Sequence, residues 1–294
     1  MVVGQRGWRQ IPVLIMFIGP SLIGLILFLL GPLAMSLYIS FTNWNLLSSP
    51  QFIGFSNYQE LFHSPAVWQA LGHTLFFIAI YLPSVMALGL GLALLLNRKL
   101  AGLSFYRAAF FMPVVASWVA VALLWKWLLN PAFGLVDYLL GLAGLPQPGW
   151  WADPNWSLPA IIVASVWKDL GFVMVLLLAG LQGIDGSFYE AAHIDGANAW
   201  KRFTRITLPL LSPSIFFVVV ISLINSFQVF DQAYVMTGGG PGTSSTMFVQ
   251  YIVQNAFSFS RMGYASALSW VLFAIIFAVT LVQFQAQKRW VHYG

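Results

Sequence analysis

The sequence contains no cysteine, which excludes disulfide bridges, thiolate nucleophiles and cysteine-ligated metal sites. Its four histidines are scattered along 294 residues without the spacing of metal ligands. It also has no phosphate-binding G-x-x-x-x-G-K-[ST] loop, and no dinucleotide fingerprint or Ser/His/Asp arrangement stands out. The sequence therefore predicts a protein that is not an enzyme and that binds no metal or cofactor of its own.

Charge is scarce as well. Only 7% of the residues are charged, against about 25% in soluble domains, whereas 60% are hydrophobic. A chain with so few charges cannot cover a water-facing surface, so we expect an all-α integral membrane protein in contact with lipid. The net charge of +5 is small and dispersed, and it does not indicate a nucleic-acid partner.

Six helical spans are predicted, because lipid requires about 20 mostly apolar residues per span. The first apolar run is too long for a signal peptide and no small-residue cleavage site follows it, so it is interpreted as a retained span. Residues 1–294 are expected to form a single transmembrane domain. The expected spans are 12–40, 72–97, 107–130, 157–182, 211–235 and 263–286.

Lysine and arginine residues concentrate on one side of these spans. Since cytoplasmic loops carry an excess of Lys and Arg, this bias predicts that both termini are cytoplasmic. Trp44, Trp150, Trp151 and Trp156 fall in outer connections, where amphipathic rings settle at the membrane interface. Ten of the thirteen basic residues are on the inner side: Arg6, Arg9, Arg98, Lys99, Arg107, Lys201, Arg202, Arg205, Lys288 and Arg289.

The cytoplasmic loop 183–210, between the fourth and fifth spans, is predicted to contain two short helices. Ser187 and Glu190 fit a capping box that would begin the first helix, and Gly196 permits the left-handed conformation that would end it. A second, basic helix is expected over about 199–206. Pro209 would then stand at the entrance to the fifth span, where its missing amide costs little.

The residues alone leave two interpretations of these helices open. They could be held by a partner protein, or they could rest Trp200 and Phe203 on lipid headgroups.

The spacing EAA-x3-G-x9-I-x-LP in this loop resembles the EAA loop of ABC importer permeases. The resemblance implies a permease whose loop forms a coupling helix seated in a cleft of a separate ATPase. Glu190 also fits the role of a helix cap, so both roles stay open for it. The residues implied in ATPase coupling are Glu190, Ala191, Ala192, Asp195, Gly196, Ile206, Leu208 and Pro209.

Five further motifs resemble the carbohydrate-uptake branch of that family, in particular the larger-permease type of the maltose transporter. The resemblance implies a second homologous permease subunit, two copies of an ATPase that hold ATP and Mg, an extracytoplasmic solute-binding protein and a sugar-like substrate. It also implies that the protein is located in the inner membrane of a bacterium or archaeon. The motifs are Thr42-Asn-Trp44, Gly54-Phe-Ser-Asn-Tyr58, Thr237-Gly-Gly-Gly-Pro241, Ala256-Phe257 and Gly263-Tyr-Ala-Ser-Ala267.

Two predicted spans carry polar side chains that indicate a substrate pathway. Ionisable groups in lipid are costly and usually face a cavity or a partner. The alternative is that these groups only hold helices together, and both interpretations remain open. On the fourth span one face carries Ser165, Lys168, Asp169 and Phe172, and on the fifth Ser222, Asn225 and Ser226 are followed by Gln228 and Asp231.

Two other functions compete with an ATP-driven importer. In an ion-gradient-driven secondary transporter, Lys168 and Asp169 would be the coupling pair, although no inverted repeat is evident. A purely structural membrane protein would leave the cytoplasmic loop unexplained.

Overall fold

The computed structural model describes residues 7–98 and 102–292, with side chains from residue 15 onward. Arg6 and Lys99 of the predicted cytoplasmic set therefore lie outside the described residues, as does the side chain of Arg9. The described chain is mostly helical, and it includes a ribbon in which β1 (Thr42–Asn43) pairs antiparallel with β2 (Gln51–Phe52). The helices are α1 (Gly7–Leu25), α2 (Gly31–Ser40), α3 (Ser56–His63), α4 (Pro65–Leu96), α5 (Leu103–Val115), α6 (Trp118–Leu128), α7 (Leu135–Leu142), α8 (Ser157–Gln182), α9 (Gly186–Ile194), α10 (Ala199–Arg202), α11 (Leu208–Phe227), α12 (Asp231–Thr237), α13 (Phe248–Val253) and α14 (Met262–Ala286).

Within the described residues, five continuous helical segments are long and apolar enough to cross a membrane. The fourth predicted span has the predicted bounds, and the second begins seven residues earlier than expected because Pro65 starts its first turn. A sixth crossing is obtained only if the bent pair α5 and α6 counts as one span. The five segments are Ile15–Ser40, Pro65–Leu96, Ser157–Gln182, Ala199–Phe227 and Met262–Arg289.

The expectation of one continuous third span over 107–130 is wrong. Its two helices, α5 and α6, meet at an angle of 99°. Ala116 and Ser117 between them have extended backbone, and the Ser117 hydroxyl accepts the Ala120 amide at 3.3 Å. Ser117 is thus the N-cap of a new helix, which supplies one of the hydrogen bonds that the interruption removes.

The fifth span also differs from its prediction of 211–235. Helix α11 ends at Phe227, residues 228–230 are not helical, and α12 follows as a separate helix. At the other end, the predicted separate helix over 199–206 is wrong, because α10 continues through the π-helical segment Phe203–Thr207 directly into α11.

The position of Pro209 accounts for the π-helical segment Phe203–Thr207. The Leu208 amide bonds the carbonyl of Phe203, five residues back, immediately before Pro209, which has no amide to donate. The first span repeats this arrangement, with the Gly31 amide bonded to the Ile26 carbonyl immediately before Pro32. In both places the wider turn lets the helix continue through a proline.

The chain divides into two compact units, of which the first contains residues 1–63 and 252–271. Three of the sequence motifs meet within it. The Asn57 side chain donates to the carbonyls of Ser40 and Thr42 at 2.8 and 2.9 Å, and the Gly263 amide donates to the Trp44 carbonyl at 3.2 Å. These motif residues therefore join the β-ribbon, α3 and the start of α14.

The second unit contains residues 64–251 and 272–294, and α8 is its central helix. One face of α8 is buried over its whole length, against α4, α5 and α11. At Gly171 the backbone of α5 comes so close that an added Cβ would collide with the Phe110 carbonyl. The absence of a side chain at this position therefore sets how closely α5 approaches α8.

Candidate functional site

A cavity of about 310 Å³ lies in the second unit where the two interrupted spans come together. Trp118, the first residue after the bend between α5 and α6, forms part of its wall, and so does the non-helical backbone over 228–230. Interrupted helices at membrane depth are tolerated where they line such a space. The lining residues are Phe77, Tyr81, Trp118, Asp169, Asn225, Ser226, Gln228, Val229, Phe230, Asp231 and Gln232.

Asp169 occupies the middle of the uninterrupted helix α8 and is fixed by α4. The Tyr81 hydroxyl donates a hydrogen bond to Asp169 Oδ2 at 2.7 Å, and the Tyr81 ring stacks on Phe77 with centroids 5.0 Å apart. Each of the two polar residues is near the midpoint of its helix, about 18 Å or more from either end. The cavity thus joins a carboxyl group, a hydroxyl group and aromatic rings near the midpoints of two long apolar helices.

Lys168 is adjacent to Asp169 in sequence but serves the interrupted third span. Its side chain is 6% exposed, and its Nζ donates to the Val114 carbonyl at 3.2 Å in the last turn of α5. The same ammonium group lies 4.7 Å from the ring centroid of Trp118. A cation at a helix C-terminus compensates carbonyls without intrahelical partners, so Lys168 stabilises the bend.

Lys126 has the equivalent role at the other interruption. Its Nζ donates to the Val235 carbonyl at 3.3 Å, in the last turn of α12, and lies 5.4 Å from the Trp151 ring centroid. Each lysine therefore binds the C-terminal turn of a short helix next to an interruption.

The structure separates the predicted pathway residues into two groups. Asp169, Asn225 and Ser226 line the cavity together with Gln228 and Asp231. Four other predicted residues are not among the lining residues of the described chain: Ser165, Lys168, Phe172 and Ser222. The Ser165 hydroxyl donates to the Ile161 carbonyl, the Ser222 carbonyl accepts from the Ser226 hydroxyl, and Phe172 is half-buried.

Sequence reasoning missed Phe77, Tyr81 and Trp118 on the cavity wall. The available signal was a tyrosine hydroxyl in the middle of a long apolar span, since such a group needs a partner when buried.

Replacing Lys168 by methionine is expected to lower the free energy of unfolding by about 1–3 kcal/mol, because the Val114 carbonyl would lose its buried donor. Denaturant titration in detergent micelles measures this change. The control is Ser165→Ala, since the Ser165 hydroxyl bonds only a carbonyl of its own helix and its loss should have little effect. Equal stabilities of Lys168→Met and the unmodified chain would contradict a role in the bend.

The loop 183–210 begins with a cap that differs from the predicted one. Helix α9 starts at Gly186, and the Asp185 side chain accepts the Ser187 amide at 2.8 Å. The capping box of Ser187 and Glu190 is therefore wrong, because the helix starts one residue before Ser187 and Asp185 already supplies the cap. Glu190 lies exposed inside the helix.

That hydrogen bond lowers the pKa of the Asp185 carboxyl below its ordinary value. The ionised cap is therefore fully present at neutral pH, and it is lost as the pH falls through the lowered pKa.

The predicted stop at Gly196 is confirmed by the backbone. Gly196 has φ +70°, its amide bonds the His193 carbonyl at 3.1 Å, and the Ala197 amide bonds the Ala192 carbonyl at 2.9 Å. These two bonds form a Schellman motif. The chain then turns into α10, and the Tyr189 and Thr207 hydroxyls, 3.0 Å apart, connect α9 to the π-helical segment.

The remaining residues of the predicted coupling set fall on two adjoining pieces. Ala191 and Asp195 are exposed at the C-terminal half of α9, where Ala192 is half-buried. Ile206, Leu208 and Pro209 are half-buried where the π-helical segment passes into α11.

A helical protein with several candidate spans and a polar cavity lined in part by interrupted helices has the architecture of a solute permease. The chain belongs to the family of binding-protein-dependent transport system inner membrane components, whose model matches residues 85–291. It is thus a multi-pass inner-membrane permease subunit of the ABC transporter class.

Relatives and solved structures agree with that assignment. The chain is 39% identical over 270 residues to the sulfoquinovosyl glycerol transport system permease protein SmoG of Agrobacterium fabrum, covering 91% of this chain and 88% of the relative. It is 37% identical over 282 residues to the probable ABC transporter permease protein YesP of Bacillus subtilis, covering 94% and 91%. A crystal structure of a bacterial alginate ABC transporter, in complex with an alginate pentasaccharide-bound periplasmic protein, matches with a TM-score of 0.84 and 26% identity over 99% of this chain and 100% of that chain.

Proposed function

We propose that this chain is one of two homologous permease subunits of an ATP-driven importer for a sugar or sugar-like solute. An extracytoplasmic binding protein would deliver the solute, and both termini would face the cytoplasm. The cavity beside Asp169 is the observation that supports this proposal best. Sulfoquinovosyl glycerol and alginate, the solutes in the names of two similar transporters, are carbohydrates.

The chemistry of the cavity suits a polyhydroxylated ligand. Asp169 and Asp231 offer acceptors for hydroxyl groups, while Asn225 and Gln228 offer both donors and acceptors. Trp118, the stacked pair Phe77 and Tyr81, and Phe230 offer apolar faces against which sugar C–H groups can pack. Pockets of this kind combine apolar walls with a few convergent polar groups.

The segment 183–210 is proposed to dock onto an ATPase subunit. Ile194 and Trp200 are 86% and 70% exposed, and Phe188 is exposed on the same helix as Ile194. Exposed apolar groups on a well-capped helix suit a protein partner. Two ATPase copies would hold ATP and Mg, and we expect no cofactor on this chain.

Reconstituted uptake tests the function. Proteoliposomes containing this chain, its partner permease and the ATPases, supplied with the binding protein, should accumulate a radiolabelled disaccharide such as maltose, lactose or trehalose only when ATP is enclosed. Accumulation on a proton or sodium gradient without ATP would instead identify a secondary transporter. ATP hydrolysis without accumulation of any carbohydrate in a broad panel would contradict a sugar substrate.

Replacing Asp169 by alanine is expected to reduce ATP-dependent uptake at least tenfold. The variant removes a mid-membrane acceptor, and hydrogen bonds to charged groups contribute about 1.5–3 kcal/mol. The assembled complex should remain intact on size-exclusion chromatography. Val163→Ala, on an exposed position of the same helix, is the matched control. Loss of assembly together with uptake would show that Asp169 only holds helices together.

A further inference from the structure

Within the described residues, the cavity lining contains acidic side chains but no basic ones. Asp169 and Asp231 both line it, and among the lining residues of the described chain there is no lysine or arginine. Asp231 is exposed at the start of α12, whereas Asp169 lies on a different helix of the lining set, α8. A solute in this space therefore meets two carboxyl groups from different helices.

Neither of the two nearby lysines is part of the cavity lining. Lys168 directs its ammonium group to the Val114 carbonyl and the Trp118 ring, and Lys126 directs its own to the Val235 carbonyl and the Trp151 ring. Both cations are thus held by the short helices beside the interruptions. A lining with two carboxyl groups and no basic side chain among its described residues disfavours an anionic solute.

We infer that the cavity selects uncharged or cationic hydroxylated solutes and rejects acidic ones. This inference rests on the proposed function and adds the charge class of the substrate. It separates this chain from two of the transporters that it resembles, since alginate is an acidic polysaccharide and the sulfoquinovosyl group carries a sulfonate. Rejection arises because a carboxylate or sulfonate would have to replace water next to two like charges.

The absence of cysteine allows a direct test of the charge in the cavity. Gln228→Cys places one thiol in the lining of the assembled transporter, and its modification by a trimethylammonium and by a sulfonate methanethiosulfonate reagent can be followed by mass spectrometry of this chain. Relative to free cysteine, the cationic reagent should be favoured at least tenfold. Leu47→Cys, at a position that is 90% exposed, should show a ratio close to that of free cysteine.

Charge-changing variants identify the carboxyl groups responsible. Combining Gln228→Cys with Asp169→Asn and Asp231→Asn should bring the ratio to within threefold of free cysteine, whereas Asn225→Asp should increase it. A ratio in the parent variant equal to that of free cysteine, or favouring the sulfonate, would overturn the inference. The inference would also be overturned if the two asparagine replacements left the labelling ratio unchanged. Because this labelling needs no transport, it decides the question even if the proposed function fails.

A second arm tests the consequence for transport. Methyl β-galactoside and methyl β-galactosiduronate differ only in the carboxylate at C6, and each is offered at increasing concentration against uptake of the labelled disaccharide. The uronate should compete at least tenfold more weakly, and the double asparagine variant should narrow that difference below threefold. Equal competition by both compounds in the unmodified transporter would contradict the selection, whereas absence of any carbohydrate uptake would count against the proposed function alone.

Discussion

Replacing Gly171 by alanine is expected to abolish uptake and to leave little folded protein. An added Cβ would meet the carbonyl group of Phe110 and the α-carbon of Phe111, and backbone atoms cannot move aside as a flexible side chain can. Helices α5 and α8 would have to separate, which would displace the bend that carries Trp118. Overpacking of this kind costs about 1–3 kcal/mol or more, a large fraction of the stability of a domain. Fluorescence-detected size-exclusion chromatography measures the folded fraction.

The matched control for this substitution is Gly91→Ala. Gly91 also lies inside a long apolar helix, α4, but a Cβ there has no atom within 4 Å. Its alanine variant should express and transport like the unmodified chain. If both glycine variants remained fully folded, the close approach of α5 to α8 would not depend on the missing side chain.

Gly196→Ala is expected to reduce ATP-dependent uptake about tenfold while the transmembrane helices remain folded. At φ +70° a residue with a Cβ costs about 1–2 kcal/mol, which destabilises the Schellman motif at the end of α9. The proposed docking surface would then lose its defined geometry. The measurements are uptake and the affinity of the purified ATPase for the permease pair.

The control variant Gly186→Ala distinguishes the effect of backbone strain from the effect of the added methyl group. A Cβ added at Gly186 or at Gly196 would have no atom within 4 Å, but Gly186 has an ordinary φ at the start of the same helix. It should therefore tolerate alanine. Normal affinity and uptake in Gly196→Ala would show that the turn does not matter to the docking of the ATPase.

The sequence is sufficient to predict the helices whose apolar residues continue without interruption. The last span, predicted over 263–286, is observed as the helix Met262–Ala286. The interruptions are not predictable in this way, since prolines occur both near a bend, as Pro113 does, and inside the continuous helices, as Pro83 and Pro213 do. Whether a helix bends depends on partners such as Lys168 that come from other spans.

The residues of the cavity are also only partly predictable from the sequence. A polar face on one helix indicates Asp169, but Tyr81 is 88 residues away in sequence and only the packing of α4 on α8 brings the two together. In the loop 183–210, Asp185 and Ser187 both suit a helix cap, and the two candidates are only two residues apart. Local chemistry there is degenerate, so only the observed backbone identifies the cap.

The continuity of α10, the π-helical segment and α11 has a mechanical consequence. From Ala199 to Asn225 the chain is one continuous helix, about 40 Å long, with one end beside the turn at Gly196 and the other on the cavity wall. No loop lies between the two ends, so a displacement of the inner end would reach the cavity wall through continuous helix.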